Sequence, residues 1–95
     1  MYVSPEIDVE TDLGIKWHDS GTYNVGTGYK NAYLIFTNIR TDLDDCNIKV
    51  SQSYDASTGV ISYSFYADTH ATIGSANAYK LKDCRSVKFI AVACG

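Results

Sequence analysis

The sequence predicts an all-β protein, an antiparallel β-sandwich or jelly-roll-like barrel of seven to eight strands. The first observation is that apolar and polar residues alternate along residues 46–68, which is typical of two half-buried strands. The second is that Gly, Asp, Asn and Ser turn signals recur about every ten residues. The third is the lack of any segment with the apolar period of roughly 3.6 residues that marks an amphipathic helix.

The stretch 46–68 predicts a long β-hairpin on which the other strands are expected to pack. Residues 55–59 predict its loop, because Asp can hydrogen-bond its own backbone and Gly accepts a positive φ. An isolated hairpin is barely stable in water, so other strands have to cover its inner face. The residues expected on that inner face are Ile48, Val50, Gln52, Tyr54, Ile61, Tyr63, Phe65 and Ala67.

Two further strands, residues 30–39 and 86–94, carry apolar side chains on both faces. This predicts that each strand is covered on both sides, the last one either within the sheet or by another subunit. In the first strand Leu34 and Phe36 lie on one face and Tyr33 and Ile35 on the other. In the second strand one face carries Val87, Phe89, Ala91 and Ala93, and the other carries Ile90, Val92 and Cys94.

Composition indicates a single globular domain that spans residues 1–95. Apolar residues make up 45% of the 95 residues, which is enough for a folded core and too many for a disordered chain. The net charge of −3 argues against a nucleic-acid partner, because such proteins usually carry a basic excess. The longest apolar run, residues 89–94, is too short to cross a bilayer, so no membrane partner is expected.

The cysteines and the N-terminus predict a cytoplasmic site of synthesis. The first residues show neither the basic start nor the apolar stretch of a signal peptide. The three cysteines, Cys46, Cys84 and Cys94, have spacings that fit neither a zinc site nor a redox pair. We therefore expect reduced thiols that behave as small hydrophobic side chains.

No motif in the sequence predicts catalysis, a cofactor or a metal site, so an enzyme is not expected. A hydrolase needs a nucleophile, a base and an orienting group, whereas His18 and His70 are expected to be surface or strand-end residues. Asp42, Asp44 and Asp45 can in principle hold Ca²⁺, but the Gly and the distant Glu of an EF-hand are missing. A plain polar loop is the favoured interpretation, and Ca²⁺ binding stays open.

Charge is distributed unevenly, which fits either two ordinary solvated faces or pairing between copies in a homo-oligomer. Residues 1–45 hold eight acids and three bases, whereas residues 46–95 hold three acids and five bases. Alternation over residues 2–13 predicts an edge strand with four carboxylates on one face, and a basic cluster lies near the other end of the chain. We expect these charges to meet between copies, with the apolar outer face of the last strand supplying most of the affinity. The expected interface residues are Glu6, Asp8, Glu10, Asp12, Lys80, Lys82, Arg85, Lys88, Ile90 and Val92.

One part of the chain resembles a known class of protein. Trp17-His18-Asp19-Ser20-Gly21-Thr22, followed by Tyr29-Lys30 and the apolar strand 32–36, resembles the small β-sandwich modules of bacteriophage tail fibres and head decorations. These modules often close with an apolar strand that ends in Gly, as residues 87–95 do. The resemblance implies a non-enzymatic virion structural protein, a capsid decoration or tail-associated module, made in the bacterial cytoplasm. It implies other virion proteins as partners and no catalytic residues.

An alternative function is carbohydrate binding. Trp17, Tyr23 and Tyr29 fall at predicted turns, where aromatic rings can stack on sugars. A flat, exposed row of these rings favours a module that recognises cell-surface glycans, whereas a symmetric apolar surface favours assembly.

Overall fold

A computed structural model describes residues 1–41, 48–67, 79–80 and 84–95 of the chain. Apart from one helical turn, the secondary structure of these residues is β, which confirms the predicted fold class. The total number of strands and the jelly-roll order stay predictions. The elements are β1 (Tyr2–Val3), β2 (Ile7–Asp8), α1 (Val9–Leu13), β3 (Ser20–Asn24), β4 (Asn31–Thr41), β5 (Ile48–Asp55), β6 (Val60–Ala67), β7 (Tyr79–Lys80) and β8 (Cys84–Cys94).

The strands form two antiparallel sheets. In sheet A, β8 is central, β4 lies along one side of it, and β1 and β2 follow one another along the other side. In sheet B, β6 is central, β5 lies along one side, and β3 and β7 lie along the other. The two sheets share one buried cluster, as in a β-sandwich.

The predicted hairpin is present as β5 and β6. Its pairing runs from Ile48 opposite Ala67 to Asp55 opposite Val60. The loop is therefore residues 56–59, one residue shorter than predicted, because Asp55 joins the strand. The Asp55 carboxylate accepts the N–H of Ser57 at 2.9 Å, and this bond fixes the turn as expected for Asp.

The core lies between the two central strands. Ile61 and Phe65 of β6 are fully buried and Tyr63 is 3% exposed, as the alternation predicted. The Phe36 ring of β4 lies between the sheets, with its centroid 5.7 Å from that of Phe65 and 5.5 Å from that of Phe89. The inward residues of β8 are all fully buried, which confirms the predicted inner set Val87, Phe89, Ala91 and Ala93.

The N-terminal segment is not the single strand that was predicted for residues 2–13. It breaks into β1, β2 and the helical turn α1. The Asp8 carboxylate caps α1 by accepting the N–H of Glu10 at 3.1 Å and of Thr11 at 3.2 Å. Gly14 ends the turn with a left-handed backbone, φ 73°. These two local capping signals outweigh the alternation of apolar residues.

A side-chain clasp joins the two sheets at one edge. Gln52 of β5 accepts the Leu34 N–H through Oε1 at 2.7 Å and donates Nε2–H to the Leu34 carbonyl at 3.1 Å. The Gln52 amide thus bonds the side of β4 that faces away from β8. Nearby, the Tyr54 hydroxyl donates to the Tyr29 carbonyl at 2.9 Å. The inward-facing arm of the hairpin therefore contributes polar contacts between the sheets as well as apolar packing.

We expect Phe65→Ala to destabilise the protein by about 3–5 kcal/mol, because it leaves a cavity among three aromatic rings. Urea denaturation followed by far-UV circular dichroism measures the change. Ser53→Ala, at an exposed position on β5, is the control and is expected to behave like wild type. A Phe65→Ala variant that unfolds at the wild-type urea concentration would contradict the assigned core.

Replacing Gln52 by Ala is expected to cost about 1–3 kcal/mol, because the Leu34 N–H and carbonyl both lose their partner. The same urea experiment applies. Gln52→Glu is the matched variant: it keeps the length and the acceptor oxygen but loses the donor to the Leu34 carbonyl, so an intermediate loss is expected. Equal stability of the Ala and Glu variants would show that the acceptor bond contributes nothing.

Candidate functional site

An apolar surface lies on the side of sheet A that faces away from the core. Cross-strand register places Val3 and Tyr33 on either side of Val92, and Ile35 next to Ile90. These side chains point outward because they alternate with the buried residues of β4 and β8. We call these five residues the apolar face.

The apolar face is open within the described part of the chain. Val3 is 57% exposed, Tyr33 42% and Ile35 48%. Ile90 is half-buried, whereas Val92 is only 7% exposed between its two register neighbours. Single exposed apolar residues are ordinary, whereas adjacent ones on one face of a sheet make that face a candidate interaction surface.

The structure changes the expectation for the two strands with apolar residues on both faces. β4 is paired with β8 on one side and bonded by Gln52 on the other. Its outer face is open among the described residues, whereas the sequence predicted that both faces would be covered. Val92 contributes less surface than expected because its neighbours cover it. The sequence analysis missed Val3, and it assigned Tyr33 and Ile35 to a covered face. Their alternation with Leu34 was the available signal.

The four acidic residues do not form the row that was predicted, because α1 interrupts the strand. Asp8 caps α1, and Asp12 accepts the Asp8 N–H at 2.9 Å. Glu6 accepts the Thr37 hydroxyl hydrogen at 2.8 Å. Glu10 turns toward β8. Each of the four carboxylates therefore has a partner within the same chain.

Glu10 holds an irregular point of β8. Its carboxylate accepts the Ser86 N–H at 2.9 Å and the Arg85 Nε–H at 3.2 Å. Ser86 has a left-handed backbone, φ 53°, and its carbonyl accepts from the Asn38 amide at 2.6 Å. The hydrogen bond from the Ser86 N–H is the main cause that lowers the pKa of Glu10 below its ordinary value of 4.5. Desolvation opposes this effect, and the hydrogen bond and charge of Arg85 add to the lowering. Glu10 thus pairs with Arg85 of the basic cluster within one chain, whereas the sequence analysis expected this pairing between copies.

The basic residues are divided between the two sheets. Arg85 and Lys88 belong to β8 of sheet A, whereas the backbone of Lys80 belongs to β7 of sheet B. Lys82 lies outside the described residues. Lys88 is the register partner of Asp8, at the end of the apolar face. Among the predicted interface charges, Asp8 and Lys88 are register partners at one end of this face, and Glu6 reaches Thr37 of β4 at 2.8 Å.

Trp17, a predicted sugar-stacking residue, is half exposed at 50%. The Arg85 guanidinium lies over its ring, 4.9 Å from the centroid. Arg85 in turn donates to Glu10, so the three side chains form one stack beside α1. One face of the Trp17 ring is therefore already occupied by a cation.

The other two predicted stacking residues serve the core. The Tyr23 ring packs edge-on against Phe89 at 5.3 Å between centroids, and burial raises its pKa. Tyr29 packs against Tyr2 at 6.4 Å. Both are half-buried, so they do not make a flat exposed row with Trp17.

His18 contacts the aromatic core. Its Nε2 lies 3.2 Å from the Tyr63 hydroxyl, and its backbone exchanges hydrogen bonds with Cys84. Burial raises the pKa of Tyr63 to about 12, so the phenol stays protonated at neutral pH. His18 is thus a packing residue at the end of the core, close to its predicted role.

The remaining candidates are placed as follows. Cys84 is fully buried and Cys94 half-buried, and both are thiols. Cys46, His70, Asp42, Asp44, Asp45 and Lys82 lie outside the described residues. Within residues 1–41, 48–67, 79–80 and 84–95 there is no group of three or more His, Cys, Asp or Glu side chains that could hold a metal ion. In the same residues no helix is long and apolar enough to span a bilayer.

Comparisons with known proteins give no match. The scan against protein-family models finds no matching family, and neither the curated proteins nor the solved structures include a significant match.

We expect the contribution of Glu10 to stability to depend on pH. Its folded-state pKa is lowered, so the charged carboxylate stabilises the fold above about pH 4.5, and this is lost as pH falls through the folded-state pKa. The melting temperature of Glu10→Gln is therefore expected to lie below wild type near pH 7, with the gap closing as the pH falls below 4.5 and through the lowered folded-state pKa.

The matched control for this experiment is Glu6→Gln, which changes the net charge equally at a carboxylate that accepts from a hydroxyl. Its gap to wild type is expected to be smaller than that of Glu10→Gln near pH 7. A Glu10→Gln gap that does not change on acidification would contradict the assigned role of the charge.

Proposed function

We propose that this protein is a non-enzymatic structural module that works by assembly, with the apolar face of sheet A as its contact surface. The observation that carries the proposal is the cluster of half-exposed apolar side chains at Val3, Tyr33 and Ile35. Burying these side chains contributes roughly 25 cal/mol per Å² of apolar surface removed from water. Their flat arrangement on one sheet suits packing against a second sheet.

The proposed occupant of the apolar face is a second copy of the chain. Two sheet faces pack at a separation of about 10 Å, and a two-fold interface requires a surface that complements itself. The charges next to the face meet this requirement, because Asp8 and Lys88 have opposite signs and lie together at one end. A two-fold axis that brings these ends together sets Lys88 of one copy beside Asp8 of the other.

The broad side of the molecule that carries the apolar face is large enough for a dimer contact. The molecule measures 44 × 28 × 17 Å, so each broad side offers roughly 1,200 Å² before side-chain relief is counted. A standard interface buries about 800 Å² per partner. The centre of such an interface is apolar and the rim is polar, which is the order found here.

The virion assignment is part of this proposal and rests on the resemblance of residues 17–36 to phage β-sandwich modules. In this proposal the protein is a capsid decoration or tail-associated module that contacts its own copies and other virion proteins. A full complement of seven to eight strands, with a jelly-roll order, belongs to the same proposal. The two-sheet architecture is compatible with it.

We expect wild-type protein at about 100 μM to sediment as a dimer or larger assembly, and Ile35→Asp to sediment as a folded monomer. The Asp side chain would be desolvated without a partner at the centre of the interface. Sedimentation velocity measures the state, and circular dichroism checks the fold. Because Ile35 is half exposed in the monomer, the substitution leaves the core intact.

Ser62→Asp, which places the same charge on the outer side of sheet B, is the control and is expected to assemble like wild type. Wild-type protein that sediments as a monomer in about 50 mM salt would overturn assembly through copies of this chain. Equal loss of assembly in both variants would show that added charge, rather than the apolar face, is responsible.

A further inference from the structure

The outer side of sheet B has a different chemistry from the apolar face. Cross-strand register aligns hydroxyl side chains in two rows that cross β3, β6 and β5. Neighbouring positions are about 4.8 Å apart across the strands and about 6.8 Å apart along them. We call this surface the hydroxyl face, and its rows are Ser20, Ser64, Ser51 and Thr22, Ser62, Ser53.

The hydroxyl face is open to solvent. Ser64 is half-buried and the other five residues are exposed. Each hydroxyl can donate one hydrogen bond and accept two, although the Ser20 hydroxyl already donates to Asp19 at 3.1 Å. None of these side chains is long enough to obstruct a flat ligand. The surface therefore matches a partner that itself carries many hydroxyl groups.

A hollow lies at one end of the hydroxyl face. It has a volume of about 360 Å³ and is lined, among the described residues, by Lys49, Val50, Ser51 and Tyr66. Lys49 and Tyr66 are register partners on β5 and β6, so a cation and an aromatic ring stand side by side. Lys49 is exposed and Tyr66 is half-buried, which leaves both within reach of a ligand.

We propose that this hollow binds a carboxylated sugar, a uronic or sialic acid unit of a polysaccharide, whose chain continues along the hydroxyl rows. The Lys49 ammonium pairs with the carboxylate, and the Tyr66 ring packs against the C–H side of the sugar. Ser51 exchanges hydrogen bonds with the sugar hydroxyls. A hollow of 360 Å³ falls in the range of roughly 300–1,000 Å³ that is usual for small-ligand sites.

The composition of the surface selects this ligand class over others. An apolar peptide would strip water from the hydroxyl rows without replacing the lost hydrogen bonds. A neutral sugar would gain nothing from the Lys49 charge. This site lies on the opposite sheet from the apolar face and does not depend on assembly.

The test uses isothermal titration calorimetry of the full chain with three polymers: polygalacturonate, polysialic acid and neutral dextran. We expect binding to at least one of the two acidic polymers and none to dextran. Lys49→Gln is expected to weaken that binding about tenfold and Lys49→Glu to abolish it. Lys16→Gln, at an exposed lysine far along the chain from the hollow, is the control and is expected to bind like wild type.

Tyr66 provides the second arm of the test. Tyr66→Phe keeps the ring and is expected to bind within about twofold of wild type, whereas Tyr66→Ala is expected to lose about tenfold. Circular dichroism melting confirms that each variant is folded. Binding to neither acidic polymer, equal binding to dextran, or acidic-polymer binding unchanged in Lys49→Gln would each overturn the proposal. Sedimentation of the same variants reports assembly separately.

Discussion

The contact between β6 and β8 is the interaction on which the rest of the structure depends. Each strand is the centre of its sheet, and Phe65 and Phe89 are fully buried on the two sides of the Phe36 ring. Tyr63 of β6 also contacts Phe89 of β8, with 6.1 Å between ring centroids. Fully burying one such side chain is worth about 1.5–3 kcal/mol. Once this contact is made, the period of two in a strand determines which residues of every paired strand point away from the core.

The two outer surfaces are therefore direct consequences of the core, and they differ in chemistry. On sheet A the outward positions are apolar, including Tyr33 and Ile35; on sheet B they are mainly Ser and Thr. A surface that gains free energy by leaving water suits a permanent contact, whereas a hydrated one suits exchange with a polar ligand. The proposed functions assign one role to each side of the sandwich, so that neither has to compromise the other.

The hairpin and its inward residues could be predicted from the sequence, because alternation is a local property of β5 and β6. The N-terminal turn could not be recognised from alternation, although Asp8 and Gly14 carry its capping signals. The pairing of Glu10 with Arg85 joins residues 75 positions apart in the chain. The sequence alone does not show whether such distant charges pair within one chain or between two copies. Likewise, the alternation around Tyr33 does not show whether another segment of the chain covers its side chain or leaves it exposed to water.

The Gln52 clasp has a consequence for how such a molecule can aggregate. A sheet edge normally offers its backbone N–H and carbonyl groups to the strand of another molecule, and repeated addition of this kind leads to fibres. At Leu34 both groups are already bonded to the Gln52 amide, so an incoming strand finds no partner at the middle of β4. The Gln52 side chain thereby protects the middle of this edge against strand addition by another molecule.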